Sequence, residues 1–318
     1  MRKVIPILLI AIALSLTVFS AGCIQGGNRT VTVSSTDGIV IKEFSTDLDR
    51  YEKAEPIPLY LDIENVGGTT ANDVKLYILG ASWDDTPCPG NVSCDSYTLS
   101  DSMSPPDLST QPPVPGDFKI ASWTLDSYKN LPEGIELPVT VKARIVYNYS
   151  SNGEVAVPVL NKEYYKMLIK QNKEIPQVLN VKNSDGPIHI DIDKAGLPII
   201  LTSADTTQVR VYIKNVGSGA PIKGYEIGPM HIKLQLLSPL NVSFEGCEVM
   251  KNPTYSTDKK TVDGDIVLRH GETVTIPCTV NIDSVPELYD SFRIIFMTNY
   301  TYYTETSTTF TIVGTPSS

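Results

Sequence analysis

Apolar and polar residues alternate with a period of two along most of this chain. In residues 57–68, IPLYLDIENVGG, Ile57, Leu59, Leu61 and Ile63 share one face, and the run ends in Asn65-Val66-Gly67. Residues 209–217, VRVYIKNVG, repeat the plan with Val209, Val211 and Ile213 ahead of Asn215-Val216-Gly217. Alternation sets one face on a core and the other in water, so each stretch predicts a half-buried strand. The Asn-Val-Gly ends predict turns, with Gly67 supplying a positive φ and Asn65 bonding its own backbone. Residues 31–33, 39–44, 74–79, 118–125 and 139–149 predict further strands, and in the last Val139, Val141, Ala143, Ile145 and Tyr147 share a face. Ser151-Asn152-Gly153 predicts a hairpin turn into a strand at 154–159. Residues 164–169 read as an extension of the sheet edge or as a short helix. The prolines of residues 104–116 (Pro105, Pro106, Pro112, Pro113, Pro115) keep that excursion out of any sheet interior.

The second half predicts strands at 189–193, 199–202, 231–237, 265–268, 274–280, 292–303 and 308–313, with the same punctuation as the first. Asn91-Val92-Ser93 matches Asn241-Val242-Ser243. Pro115-Gly116-Asp117 matches His270-Gly271-Glu272, Pro132-Glu133 matches Pro286-Glu287, and Asn148-Tyr149-Ser150 matches Asn299-Tyr300-Thr301. Anchors in one order at nearly one spacing predict a duplicated module. Many short strands, frequent Gly/Asn/Pro turns and little helical periodicity predict an all-β chain of two tandem β-sandwiches. The expected organisation is a signal peptide over 1–22, a tether over 23–30, a first sandwich over 31–170, a linker over 171–186 and a second sandwich over 187–314.

The Asn-Val-Gly strand end, Pro115-Gly116-Asp117 ahead of Ala121-Ser122-Trp123-Thr124-Leu125, and the strand Val139-x-Val141-x-Ala143-x-Ile145-x-Tyr147 together resemble the CARDB-like modules of archaeal and bacterial surface proteins. That resemblance implies an immunoglobulin-like sandwich, with Trp123 in the core, and a link to cell adhesion. The second half departs from the pattern: it has no tryptophan, with Thr279 near its place, and His270 stands where the first half has Pro115.

The amino terminus adds a location. Arg2 and Lys3 precede an apolar run over 4–19, followed by Ser20-Ala21-Gly22-Cys23. Basic residues, an apolar stretch and small residues before a cleavage point describe a secretory signal. The placement of Cys23 resembles an archaeal-type lipobox, although Ser20 stands where bacterial lipoboxes prefer Leu; the resemblance implies lipidation of Cys23. An uncleaved anchor helix is the alternative. Either way the expected location is the outer face of the cell membrane. Asn-x-Ser/Thr sequons at Asn28, Asn91, Asn148, Asn241 and Asn299 suit such a location as candidate glycosylation sites. Cys88, Cys94, Cys247 and Cys278 remain, an even number that permits three pairings. Pairing within each half, Cys88 with Cys94 and Cys247 with Cys278, is the preferred expectation for an exported chain.

Acidic residues outnumber basic ones 36 to 26, giving a net charge of −10, which argues against nucleic acid as a partner. No hydrolase elbow, zinc-protease helix or phosphate loop occurs, so no catalytic residue, metal ligand or cofactor is assigned. His189, Asp191 and Asp193 fall on one strand face, as cation ligands or, more plainly, as a solvated face. Asp84-Asp85 and Asp263-Gly264-Asp265 suit calcium or ordinary turns. Trp83 lies in a polar loop, while Trp123 sits mid-strand in a core position. Tyr300, Tyr302 and Tyr303 suit a wet contact face or an ordinary edge strand. The expected function is a non-enzymatic, membrane-anchored interaction module for adhesion or envelope assembly, with protein or glycan partners. A ligand-binding accessory lipoprotein and a glycan-active enzyme are the alternatives.

Overall fold

The computed structural model describes residues 31–80, 97–125, 128–177, 181–224 and 226–316, and residues 31–318 form one compact unit. The first half contains β1 (Ile39–Thr46), β2 (Arg50–Glu52), β3 (Ile57–Asn65), β4 (Ala71–Leu79), β5 (Tyr97–Met103), β6 (Phe118–Leu125) and β7 (Glu136–Asn161). A helix, α1 (Lys162–Lys170), and β8 (Lys182–Asn183) lead to the second half. That half holds β9 (Ile188–Ile192), β10 (Ile199–Leu201), β11 (Asp205–Asn215), β12 (Ala220–Lys223), β13 (Glu226–Ile227) and β14 (Pro229–Leu237). It ends with β15 (Val242–Cys247), β16 (Lys251–Tyr255), β17 (Thr261–Val267), β18 (Thr273–Ile282) and β19 (Tyr289–Val313). Among the described residues the chain is all-β apart from one short helix. Residues 31–33 form no strand.

Two small sheets, β1-β3-β6 and β15-β18-β11-β9, cover one large sheet of order β16-β17-β14-β19-β7-β4-β5 with short strands attached. Alternation does what the sequence predicts: Ile57, Leu59, Leu61 and Ile63 are buried, as are Val209, Val211 and Ile213. The long strands break the expected plan. β7 and β19 pair antiparallel without interruption from Leu160 opposite Tyr289 to Glu136 opposite Val313. No hairpin forms at Ser151-Asn152-Gly153, and 292–303 and 308–313 are one strand. The reason is tertiary. β19 offers a ladder partner to every residue of the would-be turn, and the Ser151 and Tyr300 hydroxyls bond at 2.7 Å. Gly153 serves close approach: a Cβ there would lie 2.3 Å from Ile190 Cγ2.

The pairing exchanges material between halves. The N-terminal part of β7 pairs with β4, and its C-terminal part runs on beside the stretch of β19 that pairs with β14. Phe310 and Ile312, at the end of β19, share a core cluster with Tyr51, Ile57, Leu59, Leu125 and Val141 of the first half. Val155, Val157 and Val159 of β7 join the large cluster containing Ile190, Leu201 and Phe292. Each half therefore completes the sheet of the other.

Residues 164–169 form helix, not edge strand. Asn161 caps α1 by accepting from the Glu163 backbone N–H at 2.9 Å, which satisfies a donor the helix start would leave open. Cys247 and Cys278 face each other across β15 and β18 as a disulfide. Cys88, Cys94, Trp83 and Asp84-Asp85 lie outside the described residues, as do Cys23, Asn28 and Asn91.

Candidate functional site

The two Asn-Val-Gly ends build the centre of the molecule. Asn65 bonds its own backbone as expected, its Oδ1 accepting from the Gly67 N–H at 3.2 Å, but the part played by the glycine differs from the expectation. Gly67 has no positive φ; it is required because a Cβ would lie 2.2 Å from the Tyr149 hydroxyl. Asn65 donates its amide to the carbonyls of Thr69 and Met103 at 2.9 and 2.8 Å. Asn215 does the same to Gly219 and Arg269 at 2.8 and 3.0 Å. The backbone N–H groups of Thr69 and Gly219 donate to the hydroxyls of Tyr149 and Tyr302, both at 3.1 Å. Val66 N–H reaches the Gly38 carbonyl, and Val216 N–H reaches that of Pro187. By role, then, Tyr149 corresponds to Tyr302, two residues beyond the Asn-Tyr-Ser/Thr match read from the sequence.

That correspondence locates a pseudo-twofold axis. In the ladder Tyr147 faces Tyr302 and Tyr149 faces Tyr300, with Asn148 opposite Thr301 between them. The axis passes through the Asn148–Thr301 pair. On its core side sit the four tyrosines in mutual ring contact. Tyr300 and Tyr302 are buried and form no wet face; Tyr303 is half-buried with the Arg144 guanidinium 4.5 Å from its ring centre. Beyond the tyrosines the entry segments of the two halves cross. Gly186 N–H donates to Ser35 O, Gly68 N–H to Asp185 O, and Ser218 N–H to the Asp37 carboxylate.

On the outer side of the same axis lies an open cleft of about 480 Å³. Its floor is Asn148, Ser150, Asn299 and Thr301, neighbours across the ladder. Thr301 Oγ1 donates to Asn148 Oδ1 at 2.8 Å. Thr70 and Asn72 line it from the first half, Lys223 and His231 from the second. Symmetry fails here. In the first half β4 passes from Asn72, opposite Asn148, to Lys75, opposite Val146, with only Asp73 and Val74 between. In the second half the corresponding step, from Ile222 opposite Thr301 to His231 opposite Asn299, contains the β12–β13 hairpin. That insertion forms one lip of the cleft.

The sequons thus fall differently from one another. Asn148 and Asn299 stand on central strands rather than in turns. Asn241 is exposed and donates its amide to Asp283 at 2.6 Å. The acidic candidates resolve into ion pairs. Asp191 holds Lys214 at 2.5 Å and Asp193 holds Arg210 at 3.3 Å. His189 donates Nε2–H to Ser35 O at 2.8 Å. Burial works against ionisation of Asp191, but hydrogen bonds from Lys214 and the Ile192 backbone outweigh it and hold the carboxyl below its ordinary value. Asp263-Gly264-Asp265 is not a turn; it lies within β17, where both carboxylates face His231, at 3.6 and 3.2 Å. Among the described residues no group of three or more His, Cys, Asp or Glu side chains is placed to hold a metal ion. Trp123 packs against both core clusters and stacks on Phe44 at 6.4 Å. The ladders set Trp123 opposite Leu59 and Cys278 opposite Val209, so the disulfide takes the tryptophan's place in the second half. Sequence reading missed the cleft because its floor comes from two strands about 150 residues apart; two sequons at nearly the repeat spacing were the available signal.

No family model matches this chain, and no curated protein does. Similar solved structures include the chitinase ChiA74 from Bacillus thuringiensis, at 12% identity and TM-score 0.17, over 78% of this chain and 27% of that one. They also include Escherichia coli alpha-2-macroglobulin, at 9% identity and TM-score 0.22, over 87% and 23%. The collagen adhesin from S. aureus has 11% identity and TM-score 0.14, over 90% and 96%. This chain spans about a quarter of the chitinase and of the macroglobulin. Likenesses this weak carry no argument about its fold or its work.

Proposed function

We propose that this protein is a non-enzymatic, membrane-anchored module of the cell surface that works by binding, in adhesion or envelope assembly. The observation that carries the reading is the platform itself. Two halves exchange their longest strands into one sheet, and the shared outer face opens into a cleft of amides and hydroxyls. A cleft whose floor is built from uncharged donors and acceptors on paired strands suits recognition of a polar partner. The N-terminal pattern ending at Cys23 supports attachment by lipid, with an uncleaved anchor helix as the second mode. Among the described residues no helix is long and apolar enough to cross a membrane.

The test is made on the full chain in its own membranes. Cys23→Ser is expected to move the protein from the membrane to the soluble fraction, and cross-linking of the anchored protein to recover an envelope partner. Soluble wild-type protein, or a membrane preparation that yields no partner, would sink the reading. The cleft favours one alternative, a ligand-binding accessory protein, which would instead show tight binding of a small solute and no macromolecular partner.

A further inference from the structure

The cleft at the pseudo-twofold axis has a definite chemistry. Among the described residues, the Asn299 amide, the Ser150 hydroxyl and the Lys223 ammonium make no side-chain hydrogen bond or ion pair, and Asn148 uses only its Oδ1. His231 is already engaged by Asp263 and Asp265. The available groups are therefore neutral donors and acceptors at close spacing plus one cation. Cross-strand neighbours lie about 5 Å apart and diagonal ones about 7 Å, so several floor groups are within reach of one polyhydroxylated ligand. The asymmetry points the same way. Where the scaffold would repeat a two-residue bulge, the second half inserts the β12–β13 hairpin and brings Lys223 into the cleft lining. A second, independent observation is that both floor asparagines open sequons, Asn148-Tyr149-Ser150 and Asn299-Tyr300-Thr301, with each hydroxyl on the same sheet face as its asparagine.

From this we infer that the cleft is a saccharide site. The inference rests on the surface location proposed above. The sugar has two sources with one chemistry: a glycan carried on Asn299 or Asn148, or the glycan of another molecule. In the covalent case a transferase joins the asparagine Nδ2 to C1 of a phosphate-activated sugar. The N–C1 bond forms, the C1–O bond breaks, the phosphate leaves with that electron pair, and one amide proton passes to the transferase's base.

Two arms separate the sources. In the first, peptides of the full chain from its native membranes are weighed. A glycan on Asn148 or Asn299 that resists glycosidase on the folded protein, and is released about tenfold faster from an Asn72→Ala/Lys223→Ala variant, supports the chain's own glycan as occupant. In the second, the full chain made in a host without N-glycosylation is titrated with neutral and uronate-containing oligosaccharides. Binding weakened roughly tenfold by the same double variant, as expected on loss of two hydrogen-bonding groups, supports an external glycan. Unmodified asparagines together with no saccharide binding would overturn the inference. So would binding or glycosidase resistance indifferent to Asn72 and Lys223. Recovery of an envelope partner together with either of these negative results would leave the surface function standing while removing the saccharide site.

Discussion

Asn65 and Asn215 each hold a strand end against two carbonyls, deep enough that water cannot substitute. Replacing either by alanine leaves buried acceptors unpaired, at about 2–4 kcal/mol per site. Urea midpoints of Asn65→Ala and Asn215→Ala should fall by that free energy divided by the slope m, with m unchanged. Gly67→Ala should cost about 1–3 kcal/mol by overpacking against Tyr149. A double variant with Tyr149→Phe should be less destabilised than the sum of the singles, because the closest clash is with the hydroxyl oxygen, while crowding against the Asp37 carbonyl at 2.7 Å keeps part of the cost. The four tyrosines give a pH signature. Burial is the largest cause raising each hydroxyl above its ordinary value of 10.0, and Tyr147 and Tyr300 stand well above it. A raised folded-state pKa means that the native state keeps protons the unfolded chain releases. This contribution is therefore intact below about pH 10 and is lost as pH rises through the folded values. Denaturation midpoints measured from pH 8 to 12 should be level and then fall, with phenolate absorbance of these residues appearing together with unfolding.

At the scale of elements, alternation told which residues are buried but not where a strand stops. β7 runs through Ser151-Asn152-Gly153 because turn propensity is local and weak, whereas β19 supplies hydrogen-bond partners along the whole stretch. The same holds for Asp263-Gly264-Asp265 within β17. Residues 164–169 read as edge strand or short helix, and the Asn161 cap seen in the structure decides for α1. Asn183, on β8, bonds both the N–H and the C=O of Ile190, at 2.7 and 3.0 Å, closing part of the free edge of β9 against strand addition. The Cys247–Cys278 disulfide closes a loop over a sequence separation of 31, worth about 3–4 kcal/mol from chain entropy. Reduction, or Cys247→Ala/Cys278→Ala, should lower stability by roughly that much in calorimetry without dissociating the halves.

For the whole molecule the strand exchange sets the behaviour of the parts. A fragment of residues 31–175 exposes the β7 edge and lacks Phe310 and Ile312 from its core. It should not yield a folded monomer by size exclusion and circular dichroism. Co-expressed with residues 176–318 it should assemble into a one-to-one complex with the spectrum of the intact chain. A folded, monomeric 31–175 would show the exchange to be dispensable.

From its sequence alone this chain was determined to be all-β, duplicated, buried on predictable faces and centred on two Asn-Val-Gly strand ends. Those properties follow from period-two alternation and from repeated short motifs, which are local and survive without knowing the partner. The tertiary structure alone decided that the last strands cross between halves. It also decided that Gly67 is needed for a tyrosine hydroxyl rather than for its φ, that Tyr149 answers to Tyr302, and that Asn148 and Asn299 share a cleft. Each of these depends on which strand lies beside which, and pairing register is a property of two distant segments that neither encodes by itself.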